Sequence, residues 1–330
     1  MYNATHESIG SYMFYKDLSQ LNILTFTTHE RYEQGLCETG HNFYALDIGG
    51  KNWDAEYGEI PSNYHQIKFI PSTLKIDLIL AQHQSHMPAA MEISKNYGAP
   101  VILLTHILPQ PNQNENLQVF GWSDSNVFIS NYSKGEWAVD PRAKVIEHGV
   151  DVDFWGEPYS NKTMLYNDNY VLSVVNEFPT RDWCCGFNLW RTISENVPCG
   201  VVGKCTSHPD FSKAAESKEH LRSIYQNASV FLNTSLVSPV PTSMLEAMAC
   251  GLPVVSTDNC MIPEIIEHGV NGYLSNDPQE LISFCNELLS DSETAANMGA
   301  KAMETVRKCF NMERFVSDWN LHFKEVITKK

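Results

Sequence analysis

The stretch Pro241 to Glu267, PTSMLEAMACGLPVVSTDNCMIPEIIE, constrains this chain more than any other. An apolar helical run starts near Thr242, with Ser243 and Glu246 at the S-x-x-E spacing of a capping box. Gly251 and Pro253 stop the helix, Val254 to Ser256 form a short β-branched strand, and Pro263 restarts the chain after a turn at Asp258-Asn259. A helix start facing a cleft presents free N–H groups and the positive end of a dipole, which together make an anion site. Glu246, one turn in, is a carboxylate able to accept hydrogen bonds from sugar hydroxyls. Diphosphate plus ribose suits that geometry; a plain helix cap is the competing explanation for Glu246.

Short apolar runs alternate with helical stretches through the rest of the chain. Asn22 to Phe26 reads as the first strand, followed by Thr27-Thr28-His29-Glu30 and a helix through Cys37 ended by Gly40. Asn42 to Asp47 is the next strand. Strand, short helix, strand is the opening unit of a doubly wound sheet. Ligands bind at the carboxyl ends of such strands, which makes His29 and Glu30 acceptor-side candidates; the plainer expectation is Thr28 capping the helix with Glu30 at its positive end. Asp77 to Ala81 is a buried strand, then His83 and His86 precede a helix to Tyr97. These two histidines are acceptor-side candidates or loop residues without a role, and as a metal pair they have no third ligand. Val101 to Thr105 is near-continuously apolar, as central parallel strands are, and His106 ends it. Asn126 to Ser130 and Tyr170 to Val175 follow as strands, then Gly200 to Gly203, with helices at 220–228, 279–289, from about 293, and at 312–327. Trp183, Cys184, Cys185 and Phe187 read as core. The turn-rich stretch Glu157 to Asn169 reads as a linker, and 110–116 as a polar loop.

Two ordinary α/β domains fit 330 residues with 43% hydrophobic content. A net charge of −16 repels nucleic acid and anionic lipid at long range. No apolar run approaches the roughly 18 residues of a membrane span, and the N-terminus lacks the basic and apolar regions of a secretory signal. Nine cysteines without a CxxC pair fit reduced thiols in a cytoplasmic protein.

LEAMACGLPVVSTD and IPEIIEHGVNGYL resemble the nucleotide-sugar-binding half of the retaining GT-B glycosyltransferases of the E-x7-E family, similar to glycosyltransferase family 4. Glu246 sits at the second glutamate of that pair; the first falls on Ser238. DLILAQHQSHMPAAMEISKNYGAPVILLTH and KVIEHGVDVDF also have parallels there, with His148 in place of the usual asparagine. The resemblance implies an α/β GT-B fold of two Rossmann-like, doubly wound domains facing a cleft. Residues 1–155 would bind the acceptor and 156–330 the nucleotide sugar, the last helix crossing back to the first domain.

It further implies a catalytic His106 between donor sugar and acceptor. The donor would be held by Arg181, Asn176, Ser238, Thr242, Ser243, Met244 and Glu246. Relatives hold the diphosphate with an arginine and a lysine; those slots are Asn176 and Arg181-Asp182 here, so one cation is lost. Glycines usual after the first strand are Thr27 and Thr28, and a usual Gly-Gly pair is Cys260-Met261. The loop Lys204 to Pro209 lies where relatives contact the base. The expected function is transfer of a hexose or pentose, with retention, from a UDP- or GDP-linked sugar to a hydroxyl acceptor, without cofactor or metal. The acceptor is open, a hydroxylated nucleic-acid base included. A nucleotide-sugar-binding module without activity and a nucleotide-sugar epimerase are the alternatives.

Overall fold

The computed structural model describes residues 20–50, 52–54, 58–109, 122–138, 140–157, 169–238 and 240–329. The polar loop at 110–116, and all but the two ends of the stretch read as a linker, lie outside them.

Two parallel sheets carry the molecule. The first has seven strands in the order β3-β2-β1-β4-β5-β6-β7. They are β1 Asn22–Thr25, β2 Asn42–Leu46, β3 Tyr64–Ile67, β4 Leu78–Ala81, β5 Val101–Thr105, β6 Ser125–Phe128 and β7 Lys144–Val145. The second has five, in the order β12-β11-β10-β8-β9. These are β8 Val171–Val174, β9 Cys199–Val202, β10 Val230–Asn233, β11 Val254–Ser256 and β12 Gly272–Leu274. Every residue of β4, β5 and β10 is buried, the expected state of central parallel strands covered on both faces. β3 escapes the sequence pattern because YHQI has little apolar character and lies at an edge, and β7 is only two residues long.

In each sheet the strand order reverses beside the first strand, at β1/β4 and at β8/β10. The crevices beyond the carboxyl ends of those strands are where open α/β sheets bind ligands. The first crevice is bordered by residues 26–30 and 82–86, the second by 175–181, 234–238 and 240–242.

The helix Met312–Thr328 follows the second sheet in sequence but packs on the first. Phe315, Trp319, His322 and Phe323 form its buried face at helical spacing. Trp319 is wholly buried and its Nε1–H donates to the Tyr32 hydroxyl at 3.1 Å. Asn311 caps the helix, accepting from the Arg314 N–H. Arg314 then donates to the Glu147 and His148 carbonyls. The largest apolar core runs through both halves, joining Tyr32, Phe315 and Trp319 to Trp155, Tyr225 and Met248.

Three local expectations are corrected. His29, not Thr28, caps the helix Glu30–Cys37, its Nδ1 accepting from the Tyr32 N–H. Ser243 and Glu246 form no capping box: Pro241 is the N-cap, with no side-chain capping bond, because Glu246 turns to partners outside its helix. Trp183 is 56% exposed rather than core, while Cys184 behind it is buried.

Candidate functional site

The second sheet builds its side of the cleft from the loop between β10 and the helix Thr242–Ala249. That loop is seated on the corner Cys184–Gly186. Leu236 and Val237 donate their N–H groups to the Cys184 carbonyl, and the Thr234 hydroxyl donates to the Cys185 carbonyl. Gly186 has φ +70°, and a Cβ there would stand 2.1 Å from the Thr234 carbonyl oxygen, so the corner requires glycine. Ser238, half-buried, follows in the loop toward the helix. Thr242 and Ser243 form the first turn, where backbone N–H groups have no intrahelical acceptor. Met244 offers the site nothing: its side chain is wholly buried and its N–H is directed at the Pro241 carbonyl.

Arg181 ends the turn Phe178–Arg181 beyond β8, exposed, its Nη1 3.4 Å from the Asn176 carbonyl oxygen. The Asn176 side chain is engaged in structure, its Oδ1 accepting from the Lys204 N–H. Glu177 was not singled out in the sequence. It adopts φ +51°, and its carboxylate accepts from the N–H and hydroxyl of both Thr206 and Ser207. Those bonds, the Thr206 hydroxyl first, hold its pKa down at about 2. Asn176 and Glu177 thus fix the short loop after β9 against the end of β8.

On the first sheet, Glu33 holds the turn after β1. This buried carboxylate accepts from the Thr28 N–H at 2.6 Å, from Gln82 Nε2 at 3.1 Å and from the Tyr64 hydroxyl. Thr27 bonds Tyr64 as well. Neither Thr27 nor Thr28 has a positive φ, so the turn needs no glycine. Burial raises the Glu33 pKa, and the Tyr64 bond opposes it.

His106 belongs to the same network. Gln82 spends its Nε2 donors on Thr25 and Glu33, so its Oε1, 3.2 Å from His106 Nε2, acts as acceptor. His106 therefore carries its proton on Nε2, and Nδ1 keeps the lone pair. Tyr32 packs edge-on to the ring at 4.6 Å and His29 stacks at 6.3 Å. Burial, with His29, His148 and His83 nearby, holds the His106 pKa well below its ordinary value. His148 also packs edge-on to Tyr32, at 5.2 Å, and is pushed down to about 3, chiefly by burial.

The other acceptor-side candidates divide. His29 is exposed at the helix start beside His106. His83 caps the turn Gln84–His86 through Nδ1 and lies against His86. His86 packs on Phe26, with its pKa lowered by burial to about 4. Glu30 is corrected: it is 2% exposed and its carboxylate accepts from the Asp54 N–H, which makes it part of the loop's support. Among the described residues no three His, Cys, Asp or Glu side chains gather as a metal site.

Contacts across the cleft complete the site. Glu246 is buried; its Oε1 lies 2.7 Å from Arg31 Nη1 and its Oε2 accepts from the Tyr225 hydroxyl at 3.0 Å. Arg31 lies between His29 and Tyr32, both in contact with His106, so the ion pair adjoins the His106 network. Glu264 accepts from the Tyr132 N–H at 2.7 Å, at the start of the helix Asn131–Trp137 of the first half. Arg31 and Tyr225 were not singled out in the sequence, and Glu264, although inside the stretch IPEIIEHGVNGYL, was given no role there. The one available signal was Arg31's place in the first turn of the helix that follows β1.

The fold is GT-B. The Anabaena protein Alr3699/HepE, solved in complex with UDP, superposes with a TM-score of 0.75 at 16% identity, covering 93% of this chain and 100% of that one. Sucrose-phosphate synthase from Thermosynechococcus elongatus gives 0.74 at 13% identity, covering 94% and 100%. Residues 208–305 match the family described as glycosyl transferases group 1. The N-acetyl-alpha-D-glucosaminyl L-malate synthase of Bacillus anthracis is 40% identical over 86 residues, 26% of this chain and 23% of the relative. The alpha-maltose-1-phosphate synthase of Mycolicibacterium smegmatis is 24% identical over 266 residues, 63% and 68% of the two chains. The chain spans about a quarter to a half of the length of the first curated relatives it matches.

Proposed function

We propose that this protein is a glycosyltransferase that moves a sugar from a nucleoside-diphosphate sugar to a hydroxyl acceptor. The observation that carries this is Glu246. It is a buried carboxylate one turn into a helix whose start opens on the second crevice, within the segment matching glycosyl transferases group 1. The carboxylate takes the ribose hydroxyls, and the N–H groups of Thr242 and Ser243 take phosphate oxygen. Arg181 adds a guanidinium suited to bidentate phosphate contact. Together they stabilise the leaving diphosphate by charge and position, without a metal. Ser238 lies on the sugar side, and Asn176 supports the site through the loop it holds.

His106 stands at the junction of sugar and acceptor, with His29, His83 and His86 around the acceptor crevice. Residues to about 155 form the acceptor domain and those from about 156 the donor domain, with the last helix returning to the first. UDP is the favoured nucleotide, since Alr3699/HepE is solved with UDP and with UDP-glucose, and GDP is second. Transfer proceeds with retention, as in the E-x7-E enzymes that the sequence resembles. All nine cysteines are free thiols, which fits a reducing compartment such as the cytoplasm.

The test is a thermal-shift screen of UDP-, GDP- and ADP-sugars with and without EDTA, followed by mass spectrometry of products from an acceptor panel. Stabilisation by one nucleotide class and release of its diphosphate on transfer is the expected result. Stabilisation by none overturns the proposal. Binding without release from any acceptor leaves a sugar-nucleotide-binding module.

A further inference from the structure

Glu246 is reached from the opposite half of the molecule. Arg31 lies on the helix Glu30–Cys37 behind the first sheet's crevice, and its guanidinium crosses to the carboxylate at 2.7 Å. The Arg31 side chain is 40% exposed, whereas that of Glu246 is 8% exposed. A carboxylate has about four lone-pair sites. Arg31 occupies one on Oε1 and Tyr225 one on Oε2, leaving about one on each oxygen. Two adjacent sites on one carboxylate match the two vicinal hydroxyls of a ribose.

Burial works against this carboxylate's charge, and Arg31 is the largest influence opposing it. The other groups facing Glu246 are few. Tyr225 donates from the helix Lys218–Asn227, Lys218 on the same helix adds weaker attraction, and Cys250 follows Glu246 on its own segment. Tyr225 keeps its proton far above the ordinary range, so it is a constant donor. A protonated Glu246 would lose an acceptor site for the diol.

We propose that Arg31 is a positioning residue of the donor site, fixing Glu246 as a carboxylate turned to receive both ribose hydroxyls. The inference rests on the reading of Glu246 as the ribose ligand. It makes nucleotide affinity depend on a residue of the acceptor half, so the donor site is complete only when the two halves are apposed. An ion pair that merely joined the halves would affect stability alone.

The experiment measures binding of UDP and GDP, and of their 2′,3′-dideoxy forms, by calorimetry on the full chain between pH 6 and 9. Wild type should prefer the diol of its better nucleotide by about tenfold or more at pH 7, the worth of charged hydrogen bonds. In Arg31→Met that preference should fall below about threefold at pH 7 and recover as pH rises, because the carboxyl has lost the charge that kept it ionised. Arg31→Lys should retain most of the preference. Circular dichroism checks that the variants fold, and the lysine variant carries the test if the methionine variant does not: its preference should then be weaker and more pH-dependent than wild type. Wild-type discrimination at every pH in the folded variants overturns the proposal. If Glu246→Gln abolishes discrimination while the Arg31 variants keep it, only the role of Arg31 falls. If Glu246→Gln keeps it, or neither nucleotide binds wild type, the ribose reading falls and the proposal with it.

Discussion

Replacing Trp319 with alanine should loosen the first half of the molecule although Trp319 lies near the end of the chain. The indole is wholly buried between Phe315, His322 and Phe323, and its N–H serves the buried Tyr32 hydroxyl at 3.1 Å. Truncating a buried aromatic side chain to alanine costs about 3–5 kcal/mol through lost transfer energy and the cavity left. Stranding a buried hydroxyl costs about 1–3 kcal/mol more, less if water enters the cavity. The sum, roughly 4–8 kcal/mol, should lower the melting temperature of the first half by on the order of 10–30 °C. Trp319→Phe keeps one aromatic ring but loses the hydrogen bond and the fused five-membered ring, so it should show the second cost plus a smaller cavity cost, well short of the alanine variant. Circular dichroism during urea unfolding gives the size of the effect, and hydrogen exchange gives its place. Protection should fall along both Glu30–Cys37 and Met312–Thr328, with the second sheet little changed. A melting shift below about 2 °C in Trp319→Ala, or unchanged protection of Glu30–Cys37, would refute the idea that this contact ties the final helix to the first sheet.

Further outcomes can be measured on the same protein. His106→Ala should lower turnover at least tenfold with donor affinity little changed, the pattern of a group acting in the transition state; a loss confined to donor affinity in single-turnover assays would contradict it. Arg181→Ala should weaken UDP far more than uridine in calorimetry, and equal losses would place the arginine away from phosphate. On the proposed reading Ser238 occupies the slot of a glutamate; serine is shorter and uncharged, and a neutral hydrogen bond contributes roughly 0.5–1.5 kcal/mol against about 1.5–3 for a charged one. Ser238→Glu should therefore raise use of glucose-type donors over the native one; strict glucose use unaffected by Ser238→Ala would count against this. Acid should act through His148 and His322, whose native pKa values are lowered to about 3 and about 4 by burial. Unfolded histidine binds its proton near pH 6.5, so their contribution is intact above that pH and is lost as pH falls from 6.5 toward 4. At pH 5.5 the two together cost about 3 kcal/mol. Between pH 8 and 5.5, His148→Asn combined with His322→Gln should lose about that much less stability than wild type in urea titrations; parallel losses would show that neither histidine titrates on unfolding.

Local chemistry was legible because its signals act over a few residues. VILLT at 101–105 forms the wholly buried β5, since four apolar residues in a row closed by a β-branched threonine suit a short strand covered on both faces. Gly251 and Pro253 end the helix Thr242–Ala249 and release β11, as read, because backbone geometry at glycine and proline depends on little else. The double-wound order followed from alternation of such elements. YHQI failed as a strand because pairing with β2, not its own composition, makes it one.

Long-range pairing decided the rest. S-x-x-E predicted a cap at Ser243, but Glu246 found Arg31, 215 positions earlier, and Tyr225 on a neighbouring helix. A charge from another element outbids a local cap when burial removes water as the alternative partner. The turn after β1 has no positive φ at its threonines, and Glu33, itself held by Tyr64 and Gln82 from elsewhere in the sheet, accepts from the turn's N–H groups. Trp183 reads as core by composition, yet it is the exposed face of a corner whose carbonyls hold the loop to Ser238. The sequence thus determined the elements, the double sheet and the helix start that faces the cleft. Which carboxylate meets which cation across that cleft was set by the packing of two halves that share no local pattern, and only the tertiary structure decided it.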